Sequence, residues 1–304
     1  MAQSISYKTF NINNLQFSEL TDEKKALKRS SYCSYNSQRF NIQTPKMKLD
    51  SGGIPRLGEY NKTDKDRQYI DVALDPCDDS EKTRETKELF TKRLKETTKF
   101  KNLLEQIDTK LDSDEFRTDL FGKAETEKYK YKYYPIVKKK ITYEDESDDE
   151  DKPKIKYPDK CKMKYYAYDM EGNYVGPQCE LYLEKSDSGR DRVDTNNMAI
   201  DDFKKYVGYM RDMKFVFRTK LWADKKKSRT EPISYGLSIF IVRIAVEERE
   251  KHQNQDFEKF LDSDDDDEEE EVVSIQTSLD AVNTKDEEDF EEVKPKRRTR
   301  KKNV

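Results

Sequence analysis

Lysines and aromatic residues alternate along a strand-like segment near position 220. At its even positions the segment 213–223 carries Lys214, Arg218, Lys220 and Trp222, the only tryptophan of the chain. Side chains of a strand alternate between the two faces of a sheet, so these residues share one face. Cations on such a face neutralise phosphates, and flat rings accept unpaired bases by stacking. Because base pairing hides the faces of the bases, the pattern favours single strands.

Two other segments combine the same residue types. Along residues 160–168, three lysines and two tyrosines share one face; residues 128–134 mix Lys with Tyr, and a basic turn follows residue 223. The predicted nucleic-acid-binding residues are Lys128, Tyr129, Lys130, Tyr131, Lys132, Lys160, Lys162, Lys164, Tyr166, Tyr168, Lys214, Arg218, Lys220, Trp222, Lys225, Lys226 and Lys227. In this hypothesis the cations contact phosphates, and Tyr166, Tyr168 and Trp222 stack on bases. The alternative is that the lysines keep a barrel soluble while the tyrosines fill half-buried gaps.

Residue types for catalysis and metal binding are scarce. His252 is the only histidine, and Cys33, Cys77, Cys161 and Cys179 are widely separated, with no C-x-x-C pair. These spacings disfavour a histidine base, a Ser-His-Asp triad and a structural zinc site. The chain also has no G-x-x-x-x-G-K-[ST] or G-x-G-x-x-G sequence for phosphate binding. We therefore predict that the protein is not an enzyme and uses no metal or cofactor.

Charge is distributed unevenly along the chain. Residues 253–304 contain 18 acids and 9 bases, the segment 144–152 has a net charge of −6, and the remainder has a net charge of +11. A basic body with acidic segments is typical of a polyanion binder whose tail competes with the ligand and recruits partners. Charge runs also occur as solvated linkers. The basic cluster 294–302 is consistent with a nuclear-import signal, a further nucleic-acid contact or a passive end.

The overall composition predicts a polar chain with a modest core. Of the 304 residues 41% are charged and 33% hydrophobic, with a mean hydropathy of −1.17. No apolar run approaches the roughly 18 residues of a membrane span. The first residues lack the basic and apolar parts of a secretory signal. We expect a protein that is not secreted, has no membrane partner and keeps its cysteines reduced.

Short strands and one long helix must position the candidate residues. Apolar residues at three- and four-residue steps predict a helix over 79–111, capped by Asp79 or Ser80. A hairpin turn is predicted at 170–173, a mobile loop at 186–197 and a short helix at 200–207. Strands are predicted at 5–10, 39–49, 68–74, 128–134, 154–169, 174–183, 213–223 and 235–246. The segment 239–242 is either central in the sheet or pairs across a homodimer.

In order, these features resemble those of the single-stranded-DNA-binding proteins of nucleocytoplasmic large DNA viruses, over residues 36–271. That family is distantly similar to the acidic-tailed single-stranded-DNA-binding protein of short-tailed coliphages. The resemblance rests on the helix Glu85–Leu111, the strand entry Lys154–Pro158, the turn Met170–Asn173, the strands Lys214–Trp222 and Tyr235–Val242, and the acidic run after them. The chain departs from the coliphage pattern in the acidic loop 144–152 and in the basic end that follows the acidic run.

The resemblance implies an OB-fold, a small curled barrel that binds DNA across its concave face. The predicted fold class is therefore mainly β with one long helix, an OB-fold-like small barrel and a disordered acidic, then basic, C-terminal tail. We expect an N-terminal extension over 1–35, an OB-like domain over 36–250 with the insert at 144–152, and the tail over 251–304.

The predicted function is sequence-tolerant binding of single-stranded DNA in viral replication, recombination or repair. The resemblance implies that the acidic tail contacts replication proteins, and it places the protein in the host cytoplasm, at the viral factory, or in the nucleus. Two alternatives belong to other classes. One is a structural or scaffolding protein of a viral particle or factory, and the other is an RNA- or duplex-binding transcription accessory.

Overall fold

A computed structural model describes residues 2–21, 28–50, 52–76, 86–139, 158–185, 189–225 and 231–248. Across these ranges the fold is mainly β with a few helices. The strands are β1 (Gln3–Ser6), β2 (Leu15–Phe17), β3 (Lys28–Tyr35), β4 (Phe40–Gln43), β5 (Met47–Lys48), β6 (Gly52–Gly53), β7 (Tyr69–Ala73), β8 (Tyr131–Tyr134), β9 (Val137–Lys138), β10 (Lys160–Lys164), β11 (Glu180–Glu184), β12 (Arg190–Val193), β13 (Asp212–Asp224) and β14 (Ile233–Glu247). The helices are α1 (Lys87–Leu111), α2 (Asp114–Phe121), α3 (Lys123–Thr126) and α4 (Ile200–Tyr206).

Two long antiparallel strands, β13 and β14, form the centre of the sheet. Their pairing runs from Met213–Val246 to Ala223–Tyr235, with one register shift after Val216. The other edge of β13 pairs in succession with β5, β4 and β3. The other edge of β14 pairs in parallel with β8, β10 and β11. Each long strand is therefore flanked by a row of three short strands.

This pairing explains why β14 is apolar on both faces. Ile239 pairs with Thr219 of β13 on one side and with Met163 of β10 on the other. The segment 239–242 is thus central in the sheet, and its backbone is not an edge that a second copy of the chain can pair with.

Shorter strands complete the periphery of the sheet. β1 runs parallel to β4, while β2 pairs with β3, β7 and β9 with β10, β6 with β7, and β12 with β11, all antiparallel. The strand order β1-β4-β13-β14-β10-β7-β6 has two ends that do not pair with each other. Among the described strands the sheet is therefore not closed.

One face of the sheet is covered by helices and forms the core. The core-facing residues of β13 that are fully buried are Phe215, Phe217, Leu221 and Ala223. The ring of Phe217 meets Phe100 of α1 edge to face, with centroids 6.2 Å apart. In the same way Tyr165, just after β10, meets Phe203 of α4 at 5.3 Å. The alternating residue types in 161–167 and 213–223 therefore correspond to a buried face and an open face of the sheet.

Helix α1 packs on the sheet through its C-terminal half. Its first residue follows Thr86, whose hydroxyl accepts a hydrogen bond from the amide of Leu89. Of the predicted apolar stripe, Leu89 and Leu94 remain 56% and 41% exposed. The residues of α1 that are buried are Arg93, Thr97, Phe100, Leu103, Leu104, Ile107 and Leu111. The predicted caps, Asp79 and Ser80, lie outside the described residues.

Two regions differ from the sequence-based expectations. The predicted N-terminal extension 1–35 contributes β1, β2 and β3 to the sheet, and β3 pairs with residues 220–224 of β13. The predicted loop 186–197 contains β12, which pairs with β11. The predicted strand 5–10 overlaps β1 at residues 5–6, whereas hydrophobic periodicity did not reveal β2, β3 or β12, which are defined by backbone hydrogen bonds to neighbouring strands. The acidic insert 144–152 and the tail 251–304 lie outside the described residues.

Candidate nucleic-acid interface

The face of the sheet opposite the helices carries a continuous set of cations and rings. Strand register places Arg218 beside Phe240, and Phe240 beside Lys164. Further along β13, Lys220 lies between Tyr32 and Ser238. We call this surface the basic face; its residues are Lys28, Tyr32, Tyr69, Lys132, Tyr134, Lys138, Lys162, Lys164, Tyr166, Arg218, Lys220, Trp222 and Phe240.

The indole of Trp222 forms one stacking platform on the basic face. Its strand partner is Gly236, where a Cβ atom would lie only 3.2 Å from the indole, so the ring lies directly against the backbone of β14. The ring of Tyr134 is 6.0 Å from it, and the ammonium of Lys28 is 3.6 Å from the centroid of the indole. Lys28 also pairs with Asp224 at 3.3 Å. A base that stacks on Trp222 would displace the Lys28 ammonium from the ring. The displaced ammonium would then be available to pair with a phosphate.

Replacement of Gly236 by alanine should destabilise the fold by about 1–3 kcal/mol, the usual cost of overpacking. The new Cβ would lie 2.7 Å from the carbonyl oxygen of Tyr134, a backbone atom that cannot move aside as a flexible side chain can. Urea titration measures the free energy of unfolding. The matched control is Gly58→Ala, because a Cβ at Gly58 meets nothing within 4 Å. Equal stabilities of the two variants would contradict the close packing at Gly236.

A second platform is the stacked pair of Tyr166 and Phe240. Their rings are nearly parallel, at 10°, with centroids 4.9 Å apart, and Tyr166 remains 42% exposed. The ammonium of Lys164 donates a hydrogen bond to the hydroxyl of Ser238 at 3.0 Å and lies 5.9 Å from the ring of Phe240. The platform therefore presents an open aromatic surface with a cation at its edge.

Ammonium groups crowd together beside this second platform. Burial, and then the charges of Lys162, Lys28 and Lys138, lower the pKa of Lys164. Burial and the charge of Lys138 also lower the pKa of Lys162, against the opposing charge of Asp71. Like charges at short range disfavour the protonated form of each lysine. A phosphate group among them would relieve this repulsion.

At the other end of the same sheet face the cations have acidic partners. There Lys214 lies 3.6 Å from Glu184, and Arg243 pairs with Glu180 at 2.6 Å. The register shift after Val216 separates this end from the residues that follow Phe217 on β13. The structure therefore places Lys214 apart from Arg218, Lys220 and Trp222, although all four share one face of β13.

The segment 128–134 divides its lysines and tyrosines between two faces. Tyr131 packs against Phe121 at 4.3 Å, and its hydroxyl donates to Glu125. Lys128, Lys130 and Lys132 are exposed, whereas Tyr129 is only half-buried. Only its end offers a joint tyrosine–lysine surface, because Lys132 and Tyr134 share one face of β8 and the Lys132 ammonium lies 5.2 Å from the Tyr134 ring, whereas Tyr131 points to the other face.

Other predicted residues lie at the margin of the basic face or beyond it. Lys160 pairs with Lys138 of β9, and Tyr168 meets Tyr174 edge to face at 5.2 Å in the hairpin. Lys225 lines, with Tyr134 and Asp224, a cavity of about 280 Å³ next to the end of β13. Lys226 and Lys227 lie outside the described residues.

The structure adds residues that sequence reasoning missed, namely Lys28, Tyr32, Tyr69, Lys138 and Phe240. Lys28 and Tyr32 are exposed on β3, but burial along this strand does not alternate, so no period of two in the sequence marks them. Phe240 is hidden within an apolar run, and only its stacking against Tyr166 identifies it.

The described cysteines are poor candidates for chemistry. Cys33, Cys161 and Cys179 are free thiols. Burial raises the pKa of Cys33 to about 11 and that of Cys179 to about 12, so both stay protonated at neutral pH. Within the described ranges no group of His, Cys, Asp or Glu is arranged to hold a metal ion. No described helix is long and apolar enough to cross a membrane.

Comparison with protein-family models and with curated proteins finds no match to this chain. The similarity to viral single-stranded-DNA-binding proteins thus stays a prediction, and the functional argument depends on the geometry of the basic face.

Proposed function

We propose that this protein binds single-stranded DNA across the basic face. The observation that carries the proposal is the arrangement of two aromatic platforms, at Trp222 and at Tyr166–Phe240, on one open sheet face, with Lys28 over the first and Lys164 beside the second. Lysines contact the phosphates and the rings stack on bases. Since every base has a π-face, such binding tolerates any sequence.

Duplex DNA is a weaker ligand for this surface. The paired bases of a duplex are stacked on one another and offer no free face to Trp222 or Tyr166. A duplex therefore gains only the salt-dependent attraction between its phosphates and the lysines. In this proposal the aromatic rings give the preference for single-stranded over duplex DNA. The charges of the lysines give an affinity that is common to all polyanions.

We extend the proposal to the context that the family resemblance implies. The curled sheet would be an OB-like domain, and the protein would act in viral DNA replication, recombination or repair, in the host cytoplasm or nucleus. In this proposal the acidic tail competes with DNA for the basic face and recruits replication proteins when DNA displaces it. The charge of the basic face is what would attract such a tail.

Titration of Trp222 fluorescence tests the proposal. Because the chain has a single tryptophan, quenching by an oligo-dT of twenty nucleotides reports on that platform alone. We expect saturable quenching that weakens between 50 and 200 mM NaCl and that excess duplex does not reverse. Absence of quenching, or equal competition by duplex, would contradict the proposal.

Binding should also take up protons at alkaline pH. In the pH range just below the ordinary lysine pKa of about 10.4, the lowered pKa of Lys164 leaves part of this group neutral in the free protein. A phosphate stabilises the ammonium and raises the pKa again, so the complex holds more protons than the free protein. Affinity should therefore fall as pH rises through this range.

Calorimetry in two buffers of different ionisation enthalpy measures this proton uptake. Lys164→Met should reduce it, while Lys95→Met, on the exposed side of α1, should not. A binding heat that is the same in both buffers would contradict the role of Lys164.

A further inference from the structure

The two aromatic platforms lie along the same central strand. Trp222 is paired with Gly236, and the second platform contains Phe240, four residues further along β14. At roughly 3.3 Å per residue this separation is about 13 Å. The outward position between them on β14 is Ser238, a small residue of which only 8% remains exposed.

Cations flank this gap on both sides. Lys220 is the strand partner of Ser238 on β13, and Lys164 donates a hydrogen bond to the hydroxyl of Ser238 from β10. The gap between the platforms is thus suited to phosphates, while its two ends are suited to bases.

We propose that one single strand engages both platforms at once, with its intervening phosphates between Lys220 and Lys164. The inference rests on the proposed function and adds a minimum ligand length to it. At the roughly 3.4 Å rise of stacked bases, four steps cover the gap, so about five nucleotides suffice. A dinucleotide reaches only one platform.

The length of the ligand separates this arrangement from two independent sites. A strand that has stacked on one platform presents its next bases to the other at high effective concentration, which raises the affinity of the longer ligand by 10²-fold or more. Two sites that each take a separate strand would give no such step. They would instead give a second binding event at higher ligand concentration.

The experiment compares dT2 and dT6 on the full chain and on Tyr166→Ala, with quenching of Trp222 as the readout. For the full chain we expect dT6 to bind at least about 100-fold tighter than dT2. Tyr166→Ala should weaken dT6 by about tenfold and leave the quenching by dT2 unchanged, because dT2 on Trp222 does not reach residue 166. Tyr209→Ala, an exposed tyrosine in the turn between α4 and β13, is the control and should leave the binding of both ligands unaltered.

The outcomes distinguish a failure of the bridging arrangement from a failure of the proposed function. The bridging arrangement is wrong if dT6 quenches Trp222 but Tyr166→Ala leaves the affinity for dT6 unchanged. It is also wrong if Tyr166→Ala lowers the affinities for dT6 and dT2 equally. In both cases the proposed binding at the Trp222 platform stands. If neither dT6 nor a longer oligo-dT quenches Trp222, the proposed function itself fails. An unchanged emission spectrum of free Tyr166→Ala shows that the Trp222 platform is intact in the variant.

Discussion

Replacing Trp222 with alanine should weaken the binding of single-stranded DNA by about 1–3 kcal/mol, or about 5- to 150-fold. The variant removes a ring that lies against the backbone at Gly236 and near Tyr134, and alanine offers no aromatic surface on which a base could stack. The lysines remain, so the charge-driven part of binding persists. The salt dependence of the affinity should therefore change little.

Fluorescence anisotropy of a labelled oligo-dT measures this loss, since the variant has no tryptophan of its own. Trp222→Phe retains a smaller aromatic surface and should restore part of the affinity. Tyr209→Ala controls for the loss of an exposed ring elsewhere. Wild-type affinity for Trp222→Ala would exclude stacking at this position and leave a general polyanion surface.

Replacement of Phe217 by alanine should lower the free energy of unfolding by about 3–5 kcal/mol. Phe217 is fully buried on the core face of β13, and its ring meets Phe100 of α1 edge to face. Truncation leaves a cavity between the sheet and the helix that rigid neighbours do not fill. Since small proteins have a total stability of about 5–15 kcal/mol, this is a large part of the whole.

Guanidinium titration followed by Trp222 emission measures the effect, because the indole reports from the opposite face of the same strand. Leu89→Ala, also on α1 but 56% exposed, should change stability by no more than about 0.5 kcal/mol. A small effect of Phe217→Ala would mean that α1 does not depend on this contact. Folded Phe217→Ala should still bind DNA, because its basic face is unaltered.

The two variants act on opposite faces of one strand and are expected to affect different properties. Odd positions of β13 point to the core and even positions to the basic face. This separation could be predicted from residues 213–223 alone, as could the matching faces of residues 161–167. In both segments the burial pattern follows the period of two in the sequence, because the pleat of a strand leaves each side chain only one of two directions.

Other parts of the site could not be predicted in this way. Lys28 lies over Trp222, and Tyr32 lies beside Lys220, only because β3 pairs with β13, a strand that is far away in the sequence. Similarly, Tyr166 stacks on Phe240 through the parallel pairing of β10 with β14. These pairings are formed by backbone hydrogen bonds, which are the same for every residue type and leave little trace in the sequence.

The sequence by itself thus determined the residue types of the basic face and their division between two faces of individual strands. It also disfavoured histidine- and cysteine-based sites, because the chain has one histidine and its cysteines are far apart in sequence. Only the tertiary structure decided which cations and rings meet on one surface, which cations have an acidic partner, as Lys214 has in Glu184, and how far apart the two platforms lie. The physical reason is that alternation is a local property of one strand, whereas register between strands depends on the packing of the entire sheet.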